Sequence, residues 1–338
     1  MELEHKSLRI GAAVIILAIV MRLLGGGLLG SAAQLLGLPE VASVLLFFET
    51  GRIVRVPQQS TVPPETTPDE PAPTAPSVPE DDRSQAVFAP ADAALVELYN
   101  NSGYSVDIAQ LLQQPLSWDL TGDGPTVLIL HTHATESYVN TENYKESSGY
   151  RTLDEHYNMV SVGDRLAARL EAGGIRVLHD RTLHDYPSYS GAYNLSRETV
   201  QAYLKKFPSI RLVLDLHRDA IADSSGKQIG YTLQTSAGAA AKMMLVMGSN
   251  AGGLTHPNWQ DNLSLAVKLQ AQLEKANPGI CRPISLRTSR YNQDLCTGTL
   301  LVEMGAAGNT RQEALVAADL LAAAVLSLAH GSTGNSTN

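Results

Sequence analysis

Two histidines and a glutamate fall close together in this chain: His131, His133 and Glu136, within HTHATESY at 131–138. In the turn after a strand, an imidazole and a carboxylate three positions apart can reach one ion. His217, in VLDLHRDA at 213–220, would complete a set of two histidines and one carboxylate. That is the ligand set of a catalytic zinc ion, with three protein donors and a fourth position open to water. Zinc draws the pKa of that water toward ~7 and supplies a nucleophile. Glu303, in TLLVEMG at 299–305, is a carboxylate in an otherwise apolar strand, where a charge needs a partner. It is assigned as the general base that takes the proton of water and passes it to a leaving amine. The expected ligands are therefore His133, Glu136 and His217. His131 is the alternative imidazole. Asp154 and Glu155, in the loop before the next helix, are alternative carboxylates. Arg218, Arg290, Asn292 and Gln293 are candidates to hold carboxylates and amides of a substrate.

Each of these residues has a less chemical explanation. A single histidine at a strand end, such as His217, is often only hydrogen-bonded. Glu303 could be half of an ion pair with Arg218 or Arg290. His179 and His184 read as surface or supporting residues, and His5, His256 and His330 as non-catalytic.

The elements that must position this set can be read from the apolar pattern. TVLIL (126–130), IRVLHD (175–180), RLVLDLH (211–217), KMMLVMG (242–248) and TLLVEMG (299–305) are short apolar runs of strand type. Between them lie helical patterns at 157–174, 196–207 (with Ser196 as cap), 258–279 and 310–330. Strands alternating with helices predict an α/β domain with a mostly parallel sheet flanked by helices. In open sheets of this kind ligands bind beyond the carboxyl ends of the strands. Three strand ends would then gather His131, His133, Glu136, His217 and Glu303 along one edge.

Composition narrows the function. The chain has 338 residues and a net charge of −9. An acidic balance argues against nucleic acid, since phosphate binding needs a basic face. Two cysteines, Cys281 and Cys296, and no CxxC give no structural zinc knuckle. Residues 10–38 carry a single charge, Arg22, and a stretch this apolar reads as a membrane span. Lys6, Arg9 and Arg22 lie toward its N-terminal side, so the N-terminus is expected inside the cytoplasm and the rest outside. Residues 56–84, rich in proline, threonine and acids, cannot bury enough surface to fold and read as an extended linker. The expected organisation is an anchor at 1–50, a linker at 51–85 and a hydrolase domain at 86–338.

Several longer motifs carry a resemblance: HTHATESY, YNMVSVGDRLAARLE (157–171), HDYPSYSGAYNLS (184–196), VLDLHRDA, HPNWQDNLSLA (256–266) and YNQDLCTGTLLVEMGAAGNTRQEAL (291–315). The sequence resembles the stage II sporulation protein P family of endospore-forming bacteria over most of 122–328, and the anchor-plus-linker layout is similar too. The resemblance implies the fold of zinc N-acetylmuramoyl-L-alanine amidases. It implies a zinc-dependent peptidoglycan hydrolase, with amidase activity and endopeptidase activity on cross-linked stem peptides, in septal wall thinning and engulfment. It also implies action in the space between mother cell and forespore, with two membrane-associated partners, sporulation proteins D and M. D is implied to be a lytic transglycosylase that makes denuded glycan. His131 and His133 match the family's first motif, His217 its second and Glu303 its catalytic glutamate. The related amidases take their ligand glutamate from further along the chain, which favours Asp154 or Glu155; the His-x-x-Glu spacing favours Glu136. Two rival functions remain: a zinc carboxypeptidase using the same set, and a non-catalytic wall-binding scaffold.

Overall fold

A computed structural model describes residues 88–116, 119–139 and 149–330. The expected anchor, the linker and the domain boundary near residue 85 lie outside the described residues. The fold centres on a seven-stranded sheet. Its strands are β1 (Leu98–Asn100), β2 (Val127–Leu130), β3 (Val177–His179), β4 (Leu212–Asp219), β7 (Met244–Met247), β8 (Ile284–Leu286) and β9 (Thr299–Ala306), in the order β1-β8-β7-β9-β4-β2-β3. A separate hairpin, β5 (Thr232–Thr235) and β6 (Gly238–Ala241), precedes β7. The helices are α1 (Ile108–Gln113), α2 (Met159–Ala172), α3 (Ala192–Lys206), α4 (Trp259–Ala276) and α5 (Arg311–His330).

Every neighbouring pair in the sheet is parallel except β7 against β9. The exception has a simple cause. A parallel neighbour needs a crossover that carries the chain back. Between β4 and β7 the chain makes only a hairpin, so β7 starts at the end where β4 stopped and runs the other way.

Strand side chains alternate between the two faces. Val127 and Ile129, Leu212, Leu214 and Leu216, and Leu300, Val302 and Met304 belong to the main core with buried residues of α2, α4 and α5. Leu128, Leu130 and Val213 face the other way and pack with Val200, Tyr203, Leu204 and Phe207 from α3 and its end. Further along that second face, Met244, Val246 and Leu301 form a small cluster under Tyr291 instead of under a helix. One half of the second face is thus helix-covered and the other is covered by the Tyr291 segment. Helix α5 is long and apolar enough to cross a membrane, but half of its apolar window is buried in the domain; its contacts with β9 and α2 make it a core helix.

Two local expectations change. The helix predicted from Ser196 begins at Ala192. Gly191, at φ 93°, makes the turn into it, and Ser196 is buried inside with its hydroxyl 2.8 Å from Thr132 Oγ1, to which it donates because the Thr132 proton goes to Asp215. The helix predicted at 157–174 spans Met159–Ala172, because the Asn158 side chain caps it through Val160 N–H at 3.0 Å. Cys281 and Cys296 are both free.

Candidate active site

The strand period and one register place the chemistry. Leu214 and Leu216 point to the main core, so Asp215 and His217 project from the second face of β4. His217 is the direct neighbour of Glu303 on β9, and Glu303 of Met244 on β7. The register slips just beyond, between His217 and Asp219. Such a bulge re-aims backbone groups; here Arg218 N–H donates to Glu136 Oε2 at 3.1 Å.

Glu136 is brought in by the loop after β2. Its Oε2 lies 3.7 Å from His217 Nδ1. The guanidinium groups of Arg218 and Arg151 stand 3.6 and 3.5 Å from its Oε1. His217 Nε2 meets Asp215 Oδ1 at 3.0 Å, a charge contact poorly angled for a hydrogen bond. Asp215 is fixed in turn by Thr132, whose N–H and hydroxyl donate to it at 2.8 and 2.6 Å. The His133 ring stands edge-on to His217, centroids 5.3 Å apart, and stacks on Tyr189 at 4.2 Å. His133 Nδ1 is buried with no hydrogen-bond partner, 3.9 Å from Asp185 Oδ2. Asp185 is already engaged by Thr135 N–H and hydroxyl at 3.2 and 2.6 Å and by Arg151 at 2.9 Å. Glu303 as a residue is half-buried, yet its Oε2 is shut off from solvent and also lacks a partner.

The electrostatics follow from this crowding. Burial lowers the pKa of His217, but the Asp215 charge, then Glu136 and Glu303, outweigh it and hold the imidazole up at about 9. Burial raises that of Asp215, but His217 and the Thr132 hydrogen bonds keep its carboxyl down at about 2. Burial, then the His217 charge, lowers His133 to about 3. Glu303 is pushed up to about 8, chiefly by burial and against the His217 charge. The cluster thus holds a neutral imidazole, a tight Asp–His ion pair and a carboxyl poised to exchange a proton near neutrality.

The two histidines of the first motif part company. His131 points from the strand end toward α2. Its Nδ1 meets Leu216 O at 3.1 Å and its Nε2 meets His179 Nε2 at 2.9 Å. His179 Nδ1 continues to Asp164 Oδ1 at 3.0 Å. Gly163 passes over this pair so closely that a Cβ would lie 2.4 Å from His179 Nε2 and 2.6 Å from His131 Nε2. His184 is buried below, with ring nitrogens 2.9 Å from His131 O and from Thr199 Oγ1.

Other expected residues are committed elsewhere. Asp154 is exposed and caps the His156 N–H at 3.0 Å, and Glu155 pairs with Arg181 at 2.6 Å on the surface. Neither joins the cluster, because the turn before α2 directs them outward. The suggested ion pair of Glu303 with Arg218 or Arg290 is absent: Arg218 serves Glu136 and the carbonyls of Ser137 and Tyr150, and Arg290 pairs with Asp294 at 3.4 Å. Gln293 is fully buried between Gly248 N–H and Val246 O, and the Asn292 amide donates to Tyr193 O at 2.8 Å. All four are thus engaged by neighbouring protein groups in this structure. Sequence reading passed over Asp215, Asp185, Arg151, Tyr189 and Tyr193. Asp215 was findable, since it stands two positions before His217 and so on the same strand face.

Among the described residues no three His, Cys, Asp or Glu side chains already close into a metal-sized group. The donors nonetheless suit a divalent cation. His133 Nδ1, His217 Nε2 and Glu303 Oε2 are buried without hydrogen-bond partners, and His217 Nδ1 and Glu136 Oε2 already face each other. Imidazole with carboxylate is zinc-type donor chemistry.

A sequence profile of the family described as "Stage II sporulation protein P" matches residues 57–326. The stage II sporulation protein P of Bacillus subtilis (strain 168) is 29% identical over 215 residues, 60% of this chain and 50% of that protein. The chain thus spans about half the length of that curated relative. Among solved structures, the N-acetylmuramoyl-L-alanine amidase AmiC2 of Nostoc punctiforme aligns with 12% identity over 62% of this chain and 97% of that one, at a TM-score of 0.34. The CwlD amidase from Clostridioides difficile aligns with 13% identity over 60% of this chain and 94% of that one, at a TM-score of 0.37.

Proposed function

The chain belongs to the stage II sporulation protein P family, and from that premise we propose that it is a zinc-dependent peptidoglycan hydrolase acting during sporulation. Its principal reaction is that of an N-acetylmuramoyl-L-alanine amidase, with endopeptidase action on cross-linked stem peptides as a second activity. The observation that carries this reading is the convergence of His133, Glu136, His217 and Glu303, with His133 Nδ1 and Glu303 Oε2 buried and unpaired.

His133, Glu136 and His217 would hold the metal, His217 giving up its Nδ1 proton as the ion binds. When bound, Zn2+ would polarise the amide carbonyl, acidify a water and, as a positive charge, draw the Glu303 pKa down toward neutrality. Asp215 fixes the His217 ring through Nε2 and leaves Nδ1 on the Glu136 side. The Arg218 N–H and the two guanidinium groups hold the Glu136 carboxylate in place. Glu303 takes the proton of the attacking water and delivers it to the departing amine. Its buried position strengthens that exchange, because a carboxyl near neutrality both accepts and returns a proton. Tyr189 and Tyr193 form a wall over the imidazoles and keep bulk water off one side.

In this reading the N-terminal segment anchors the enzyme in the membrane, the catalytic domain lies outside the cytoplasm, and sporulation proteins D and M are its partners. The test is mass analysis of what the full-length chain, in detergent, releases from purified peptidoglycan, alongside elemental analysis of bound metal. Free stem peptides and about one zinc per chain support the proposal. Intact glycan-linked peptides with wild-type protein overturn it.

A further inference from the structure

The half of the second sheet face that lies under Tyr291 carries an arginine that the cluster does not use. Arg282 pairs with Asp219 at 2.7 Å, Arg290 with Asp294 at 3.4 Å and Arg151 with Asp185 at 2.9 Å. Arg287, half-buried just past the end of β8, reaches Ser285 Oγ at 3.0 Å and Tyr291 Oη at 3.5 Å. Both partners are neutral, and no carboxylate lies within ion-pair distance of it among the described residues. A guanidinium offers five donors in a planar fork that matches a carboxylate. Most of that fork is unspent here.

Its placement is not casual. The Ser285 contact, two residues back along the strand, lays the side chain along β8 toward the row of Met244, Glu303 and His217. Its charge acts on Glu303, after burial, His217 and neighbouring acids. Tyr291 and Asn292 are consecutive non-glycine residues at φ 51° and 59°. Such backbone is costly for side-chain-bearing residues and persists where surrounding contacts impose it. Asn292 supplies those contacts, donating to Tyr193 O at 2.8 Å and Ser196 Oγ at 3.1 Å. The result sets the Tyr291 ring over Met244, Val246 and Leu301, 5.9 Å from Tyr193, which itself stacks on His217 at 6.4 Å. One wall therefore runs from His217 to Arg287.

We propose that Arg287, with the Tyr291 hydroxyl beside it, binds a free carboxylate on the peptide side of the amide that is cleaved beside Glu303. The inference rests on the amidase reading. In a muramoyl-peptide amide the lactyl carboxyl is consumed in the scissile bond, so the sugar side offers no free carboxylate near it. The peptide side does, unless that group is amidated. A planar, bidentate guanidinium–carboxylate pair would fix the peptide's direction along the wall.

The test uses the full-length chain in detergent and two soluble muramoyl peptides. They differ only in the second residue of the stem, a free α-carboxylate in one and its primary amide in the other. Wild type is expected to cleave the free acid with at least about tenfold higher kcat/KM. Arg287→Gln is expected to lose that preference by raising KM for the acid, with kcat nearly unchanged and the melting temperature retained. Arg287→Lys keeps the charge without the fork and should fall between; Tyr291→Phe should lose a smaller part. Equal cleavage of the two peptides by wild type, or an undiminished preference in Arg287→Gln, overturns the inference while leaving the amidase reading intact. If Arg287→Gln does not fold, an undiminished preference in both Arg287→Lys and Tyr291→Phe overturns it equally. Wild type that releases no peptide from either substrate overturns both.

Discussion

His131 and His133 stand two residues apart at the end of one strand and have opposite surroundings. Both nitrogens of His131 are bonded, to Leu216 O and to His179, and the chain of contacts ends on Asp164. His133 has a buried Nδ1 with no partner, and its ring touches Tyr189 and His217. Burial lowers the pKa of both to about 3. Desolvation therefore does not separate them; satisfaction of the ring nitrogens does. A buried polar atom without a partner costs folding free energy, so of the two residues His133 is the one whose ring nitrogen is left open to a further partner. Under the proposed function, the contrast gives His131 the task of holding the strand ends of β2 and β4 together and His133 that of chemistry.

The same substitution at both positions tests that division most strongly. His133→Gln should cut turnover by about a thousandfold or more, since the metal's share of transition-state stabilisation is several kcal/mol, while the melting temperature changes little. His131→Gln should do the reverse. It leaves His179 or Leu216 O unpaired at a cost of about 1–3 kcal/mol, seen in thermal unfolding, and the folded fraction keeps most of its activity. Equal activity losses in the two variants would remove the distinction. Next in size is Glu303→Gln, which keeps shape and cannot take a proton. General acid–base catalysis contributes roughly 10²–10⁴-fold, so kcat should fall by at least about a hundredfold. Glu303 has no ion-pair partner among the described residues, and burial raises its pKa to about 8. The amide should therefore leave the melting temperature level or raise it. A clear drop would mean that Glu303 holds the fold.

The apolar runs made most of this legible. Five of the seven sheet strands and four of the five helices have sequence patterns strong enough to find, because four of those strands are largely buried on both faces, β3 lies within the apolar run IRVLHD, and those helices have apolar sides. β1 and β8 are three residues each, as β3 is, but lack the longer apolar run that marks β3, and α1 is a single short piece ending at Gln113. The reversed β7 was hidden because strand direction depends on a connection, not on the strand's own residues. At the site, residue types and spacing singled out His133, Glu136, His217 and Glu303, which the structure brings together. They could not separate His131 from His133, since the choice depends on which face of β2 the chain leaves from. Arg218, Gln293 and Asn292 looked like free polar groups; only the bulge at Arg218 and the left-handed turn at Tyr291–Asn292 show that they are taken.

A smaller effect sharpens the His131 side. Gly163 on α2 leaves just enough room for the His131–His179 contact, and a Cβ there would meet both Nε2 atoms at 2.4–2.6 Å. Overpacking of this kind costs about 1–3 kcal/mol. Gly163→Ala should lower the unfolding free energy within that range, and turnover of the folded protein by less than about tenfold, because nothing near His133 moves directly. A thousandfold loss of turnover in Gly163→Ala would instead tie the His131 chain to the reaction.

The smallest expected effect is in pH dependence and concerns His131 alone. Its pKa in the fold is about 3, lowered by burial and then by His179, against about 6.5 for the unfolded chain. Between those values the unfolded chain binds a proton that the folded chain refuses. Stability from this group is therefore fully present above about pH 6.5 and is lost as pH falls through the window toward 3. From pH 8 to pH 6 the loss is only about 1 kcal/mol, because the unfolded imidazole is merely part-way protonated at the lower pH. Other groups titrate in the same range, with His217 opposing, so the measurement is a difference between two proteins. Chemical unfolding of metal-free wild type and of metal-free His131→Gln, at pH 8 and pH 6, isolates the group. The advantage of wild type should shrink by about 1 kcal/mol at pH 6. If the gap is constant, His131 is not held neutral by its surroundings. If it widens on acidification, His131 is protonated in the fold and the contact with His179 carries a charge.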